Sequence, residues 1–233
     1  MLWNSRFLHL HIPKTAGKSL TRYFVEAWPR PIYGSVSRGQ IRELSDCDQS
    51  NLHLEIGRGH ENLKLAQDML QQRGRNLESL EAVFVCTRNP YDLMVSSYHF
   101  LRQSYPLAKG RTDATLAANS TFEEFCCQVG KIGPQDWMVW NERPLTNLKV
   151  IRFERMLEDL QKYTEMYGFA SCPLPHLNPS TRGHYREYLT PRAEERIYEK
   201  FQYWFDNGHY PREPFSKLHR LKLWVQDKFS AKK

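Results

Sequence analysis

The stretch "RFLHLHIPKTAGKSLTRYFVEA", residues 6 to 27, constrains this chain more than any other. Leu8, Leu10 and Ile12 alternate as in a half-buried strand, and beyond a short loop Leu20, Tyr23, Phe24 and Ala27 recur at helical spacing. A strand that passes through a loop into a helix leaves backbone N–H groups unpaired at the positive end of the helix dipole, where an anion binds well. Gly17-Lys18-Ser19 is also the ending of a triphosphate-binding P-loop. The beginning differs: Ile12 stands where the first glycine of that motif belongs, followed by Pro13 and a second lysine, Lys14.

The pattern repeats along the chain. "NLHLEI" (51 to 56) leads through "GRGH" into a segment with Leu63, Ala66 and Leu70 on one helical face. "AVFVCT" (82 to 87) is continuously apolar and β-branched, as in a strand covered on both sides, and "PYDLMVSSYHFL" after it reads as helix. "NLKVIRF" (147 to 153) is a fourth strand, followed by a helix with Leu157, Leu160 and Tyr167 inward. Strands alternating with helices imply an α/β fold: one domain, P-loop-like and three-layered, with a mostly parallel central sheet flanked by helices. Residues 102 to 120 read as a long surface loop. Ser120 and Thr121, each with a glutamate three residues on, signal a capping box, and Thr190-Pro191 opens a helix that buries Ala193, Ile197, Phe201 and Trp204. No repeat or low-complexity segment interrupts this order.

A length of 233 residues fits one core, taken as residues 1–215, with 216–233 as a basic tail or helix. No run approaches the roughly 20 apolar residues that cross a bilayer. The N-terminus reaches a strand without a cleavable apolar region, which argues against secretion or an anchor. Cys47, Cys86, Cys126, Cys127 and Cys172 are odd in number and lack metal-ligand spacing, so a reduced cytoplasm is expected, without zinc or disulfides. The net charge of +7 favours anionic partners. Much of it lies at the C-terminus, where Lys217, Arg220, Lys222, Lys228, Lys232 and Lys233 face one acid, Asp227. That segment is either a solvated helix end or a surface for a polyanion or acidic membrane; nucleic acid is not expected as a partner.

At the end of "AVFVCT" stands Arg88 rather than the aspartate that would hold Mg²⁺ in a P-loop enzyme, and its planar fork suits a phosphate monoester. Taken together, "HIPKTAGKS" and "RNPYDLMVSSY" resemble the PAPS-dependent sulfotransferases, in particular the carbohydrate (heparan-sulfate-type) branch. The resemblance extends to "VIRFERMLEDL" and "LNPSTRGHYREYLT" and so covers most of the chain. It implies that Lys14, Thr15, Ala16, Gly17, Lys18 and Ser19 hold the 5′-phosphosulfate of the donor. It implies further that Arg88 and Ser96, eight positions apart, hold the 3′-phosphate, and that a loop around Ser180, Thr181 and Arg182 closes over the nucleotide. Lys18 departs from the threonine or serine common in relatives.

Sulfuryl transfer needs in-line attack, stabilisation of the leaving phosphate and an acceptor for the hydroxyl proton, and no metal. Lys14 is the candidate for stabilising the leaving group, and His60, just past a strand end and preceded by glycine, for the base. Glu55 and His53 compete with His60. His9 and His11 share a strand face and read either as packed residues or as supports behind the site, with His11 near the donor, while Trp137 and Trp140 either stack on a sugar or pack in the core. The expected activity is transfer of a sulfuryl group from PAPS to a hydroxyl, most simply of a carbohydrate or glycoconjugate, releasing PAP. A kinase using Mg-ATP and a non-catalytic nucleotide- or polyanion-binding module remain as rivals, and sugar, lipid and small phenol all remain open as acceptors.

Overall fold

In the computed structural model, which describes residues 1–105, 110–130, 133–175 and 182–213, the chain divides into two compact units. The first is Met1–Arg88 with Pro134–Pro179, and the second Asn89–Gly133 with Ser180–Lys233. Chain order begins β1 (Leu2–Trp3), β2 (Phe7–Leu10), α1 (Gly17–Ala27), β3 (Ile32–Val36), α2 (Arg38–Glu43), β4 (Leu52–Ile56), α3 (Leu63–Gln71) and β5 (Ala82–Thr87). It continues with α4 (Pro90–Ser104), α5 (Thr112–Asn119), α6 (Phe122–Gln128), β6 (Val139–Trp140), β7 (Arg143–Pro144), β8 (Leu148–Arg152), α7 (Met156–Tyr167) and α8 (Pro191–Asp206).

The first unit carries a six-stranded sheet in the order β4-β3-β1-β2-β5-β8. The pairs β2–β5, β5–β8 and β3–β4 are parallel, whereas β1 runs against both β2 and β3. All strands but β1 therefore share one direction, and the loops that leave their C-terminal ends gather along one rim. The chain leaves β2 toward β3 on one flank and returns from β4 to β5 on the other, a reversal that opens a crevice at the end of β2. The mostly parallel sheet agrees with the expectation. β1 and β3 were not legible: β1 is too short for any period, and Gly34 breaks the pattern of "IYGSV". A Cβ on Gly34 would stand 2.7 Å from both Leu2 and Leu54, so this glycine lets neighbouring strands close up rather than turn.

α1 and α7 pack on the face that presents Phe7, Phe84, Cys86 and Ile151, with Phe24, Trp28 and Phe169 completing an aromatic centre. The ring of Phe84 lies 5.4 Å from that of Phe24, 5.8 Å from Phe169, 6.0 Å from Trp28 and 6.1 Å from Phe7. Leu8, Leu10, Val83 and Val85 are buried on the alternate positions, and α3 buries Leu63, Ala66 and Leu70 as its period predicts. α7 agrees with expectation at Leu160 and Tyr167, which face the core, and departs from it at Leu157. Its inward side chains are Met156, Leu160 and Tyr163, and Leu157 is 69% exposed.

In the second unit, α4 is capped by Asn89 and starts with Pro90, and α8 is capped by Thr190 with Pro191 next. The capping box before α6 uses Thr121 and Glu124. Glu194 of α8 accepts from Tyr91 of α4 at 3.2 Å and from Arg212 at 2.9 Å, a buried carboxylate satisfied by two elements. The stretch read as a loop from 102 to 120 is largely helical: α4 runs to Ser104, and α5 occupies Thr112–Asn119. The small alanine-rich residues there favour helix as much as turn. The proposed tail, 216–233, lies outside the described residues.

His9 lies inside β2 against Phe24, fully buried, with neither ring nitrogen partnered among the described residues. Burial lowers its pKa from 6.5 to about 3. The unfolded chain restores the ordinary value, so unfolding takes up a proton between the two, and stability is lost as pH falls through that window. Burial pushes His11 and His60 in the same direction. Urea denaturation between about pH 6 and 5 should show stability falling with pH, with His9 contributing about 1.4 kcal/mol per pH unit. His9→Leu should reduce the slope by one histidine's share, and an unchanged slope would contradict a neutral His9.

Candidate active site

The rim at the end of β2 is built on strain. Lys14 (φ 64°) and Ala16 (φ 62°) both adopt the left-handed conformation. For residues with a Cβ this costs about 1–2 kcal/mol each, and such positions persist only where the surroundings enforce them. Hydrogen bonds from both sides contribute here. The fully buried Thr15 donates its hydroxyl to the carbonyl of Ile12 at 2.8 Å, and Arg88 donates from Nη1 to the carbonyl of Lys14 at 3.0 Å. Arg88, just past β5, is itself held with its guanidinium 4.0 Å above the ring of Phe153, which follows β8. The two sequence elements therefore meet: the loop and the distant arginine are one structure.

The twist of Ala16 aims the start of α1 at the rim. Ala16 is the N-cap residue, makes no side-chain cap, and no acid follows in the first turn. α2 and α3 are instead capped by Ser37 and Asn62. The bare end of α1 thus keeps its dipole for an anion. Gly17 is needed here for closeness rather than for an unusual φ. A Cβ on it would stand 1.7 Å from Cδ2 and 1.9 Å from Nε2 of His11, so only glycine lets that ring lie against the helix start.

Two side chains of the loop do other work than expected. The Thr15 hydroxyl is directed inward to Ile12 and braces the turn. The Lys18 ammonium is 2.5 Å from Glu43 at the end of α2, so what Lys18 offers at the rim is its backbone. Ser19 is buried in the first turn of α1.

His60 reaches the same rim from the end of β4. Its Nδ1 is 3.0 Å from the carbonyl of His11. A carbonyl only accepts, so Nδ1 carries the proton and Nε2 is left with its lone pair, the form a base requires. Its ring lies 4.4 Å from that of His11. Although His60 retains considerable exposed area, loss of water around the ring lowers its pKa, and the positive charge of Lys14 adds to this. The bond to His11 opposes it.

The turn bearing His60 is fixed by a residue that the sequence reading missed. Glu61 is buried, and its Oε1 accepts from Ser35 Oγ at 2.7 Å and from the backbone N–H groups of Arg58 and Gly59 at 3.1 Å. Trp137 donates from Nε1 to the Glu61 carbonyl at 3.0 Å. Only the adjacency of an acid to "GRGH" hinted at this in sequence. The competing bases lie elsewhere on the edge strand. His53 stacks on Tyr33 at 5.0 Å, Glu55 is 3.7 Å from Arg73, and together they line a groove of about 380 Å³ with Trp3.

Ser96 and Arg182 belong to the second unit. Ser96 is buried on α4, one turn beyond Asp92, which pairs with Arg182 at 2.5 Å. Arg182 keeps a buried Nε–H without a partner among the described residues, and so does Nε2 of His99, one turn further along α4. A buried guanidinium with an unused donor is chemistry for an anion. Ser180 and Thr181 lie outside the described residues. Among the described residues no group of three or more His, Cys, Asp or Glu could hold a metal, and no helix is long and apolar enough to cross a membrane.

The family profile described as "Sulfotransferase domain" matches residues 77–203, from just before β5 to within α8. No curated protein sequence matches significantly. Among solved structures, the chain is similar to mouse sulfotransferase SULT7A1 complexed with PAP, with 17% identity, coverage of 94% of this chain and 88% of that one, and a TM-score of 0.53. That likeness concerns the fold; the profile covers more than half of the sequence, and the chain belongs to the sulfotransferase family.

Proposed function

We propose that the protein transfers the sulfuryl group of PAPS to a hydroxyl of a carbohydrate or glycoconjugate and releases PAP. The observation that carries this reading is the contact of Arg88 with the carbonyl of Lys14, which ties the two anion-binding elements together beside the bare start of α1. The residues at the end of β2 fit such a donor: an uncapped helix end and a cradle that a Cβ on Gly17 would fill. When bound, PAPS would supply an activated sulfuryl group whose S–O bond to the 5′-phosphate breaks as the bond to the acceptor oxygen forms, with PAP as the leaving group. The start of α1, from Ala16 through Ser19, holds the 5′ side, and Arg88, Ser96 and Arg182 are assigned to the nucleotide and its 3′-phosphate.

Lys14 stabilises charge that grows on the leaving oxygen, an interaction stronger in the transition state than before it. His60 accepts the hydroxyl proton at Nε2 while its Nδ1–H stays on the His11 carbonyl. Glu61 and Trp137 hold the turn that presents it. The carbohydrate acceptor follows from the likeness of "HIPKTAGKS" and "RNPYDLMVSSY" to that branch, and the free thiols of all five cysteines are compatible with a reducing compartment. A kinase reading would need a first glycine where Ile12 stands and an acid at the end of β5, where Thr87 and Arg88 stand.

Thermal stability is the first test. PAP at about 100 times its dissociation constant should add about 2.7 kcal/mol, ADP less, and Mg-ATP no more than ADP. Arg88→Ala should erase the preference for PAP; stabilisation chiefly by Mg-ATP would replace this reading with a kinase. Transfer from ³⁵S-labelled PAPS to desulfated heparan oligosaccharides, set against a simple phenol, tests the acceptor. In that assay His60→Ala should lower kcat/KM by about two to four orders of magnitude. Because burial depresses the His60 pKa, the acid limb of the pH profile should fall below pH 6.5. Activity that survives His60→Ala would remove His60 as the base.

A further inference from the structure

His11 has a role that packing does not explain. Its side chain is buried, with 8% of the residue exposed, and Nδ1 has no partner among the described residues. Its backbone carbonyl is fixed by His60, and its ring edge lies against the start of α1, where Nε2 would be 1.9 Å from a Cβ on Gly17. An orphaned acceptor is tolerated better in a protein interior than an orphaned N–H, so the proton belongs on Nε2 and Nδ1 keeps the lone pair. The groups that bear on its charge are His60, His9, the chain's amino group and Lys14, and none is an acid. Together with burial they keep the ring neutral. His9 is orphaned too, but it sits two residues deeper in β2 against Phe24, away from the helix start.

We propose that His11 is a binding residue for the donor, its Nε2–H donating to the anionic oxygen held at the start of α1. This rests on reading that helix start as the site of the donor's 5′ side. It explains why glycine stands at position 17: a side chain there would displace the ring from the place where its N–H joins the backbone amides. It also links the two imidazoles. The residue that orients His60 through its carbonyl is the one that senses the anion through its ring, so donor occupancy and the position of the base are coupled through one residue.

The test compares PAP with adenosine 3′-monophosphate, which lacks the 5′-phosphate, by calorimetry on wild type, His11→Leu and His11→Gln. Loss of a hydrogen bond to a charged group should weaken PAP about ten- to a hundredfold in His11→Leu, leave adenosine 3′-monophosphate unchanged, and be largely restored in His11→Gln, whose amide donates at similar reach. Equal losses for both ligands, no loss for either, or the same affinity in the Leu and Gln variants would overturn the proposal. A wild type that binds both ligands alike would instead remove the donor reading beneath it. Should His11→Leu fail to fold, long-range ¹⁵N–¹H spectra of wild type decide: Nε2 should carry the proton, and its resonance should move with PAP but not with adenosine 3′-monophosphate. An unprotonated Nε2 would sink the idea.

Discussion

The hydrogen bond from Arg88 to the carbonyl of Lys14 is the constraint on which the rim depends. Without it, the left-handed turn at Lys14 and Ala16 loses one of the bonds, beside the Thr15 hydroxyl, that oppose a relaxation worth a few kcal/mol. The turn sets the direction of α1, and α1 brings Gly17 against His11, whose carbonyl receives His60. A chain of contacts thus runs from the end of β5, through the end of β2, to the end of β4. The hydrogen bonds at its two ends lie at strand termini, while the packing that holds the strands in place is aromatic and lies beneath.

Periodicity made the strands at 7–10, 52–56, 82–87 and 148–152 legible, along with the helices α1, α3 and α8, because each buries a regular face. Cap chemistry was equally readable at Thr121 and Thr190. Elements without a period were not: β1 has two residues, and β3 contains a glycine that serves close packing. On α7 the period located Leu160 and Tyr167 on the core side but misplaced Leu157, because the inward face is completed by Met156 and Tyr163.

Site residues divide along a similar line. That the loop and Arg88 belong together could be read, since a charge type and a strand end are both one-dimensional signals. The partners of Thr15 and Lys18 could not. Thr15 turns inward because its own loop doubles back, and Lys18 finds Glu43 only after α2 has been brought beside α1. Glu61 was invisible for the same reason, since its importance lies in Ser35 and Trp137, far away in sequence.

The separation of Arg88 from Lys14 bears on how the molecule comes to be active. Strands β2 and β5 must zip together in parallel register, with a long intervening stretch already looped out, before that hydrogen bond can close. Such non-local pairings form slowly, so a partly assembled chain lacks the finished loop. Competence therefore arrives together with the sheet. Whatever grips the loop in turn slows the unzipping of the strands beneath it, and occupancy becomes a measure of how long the fold survives.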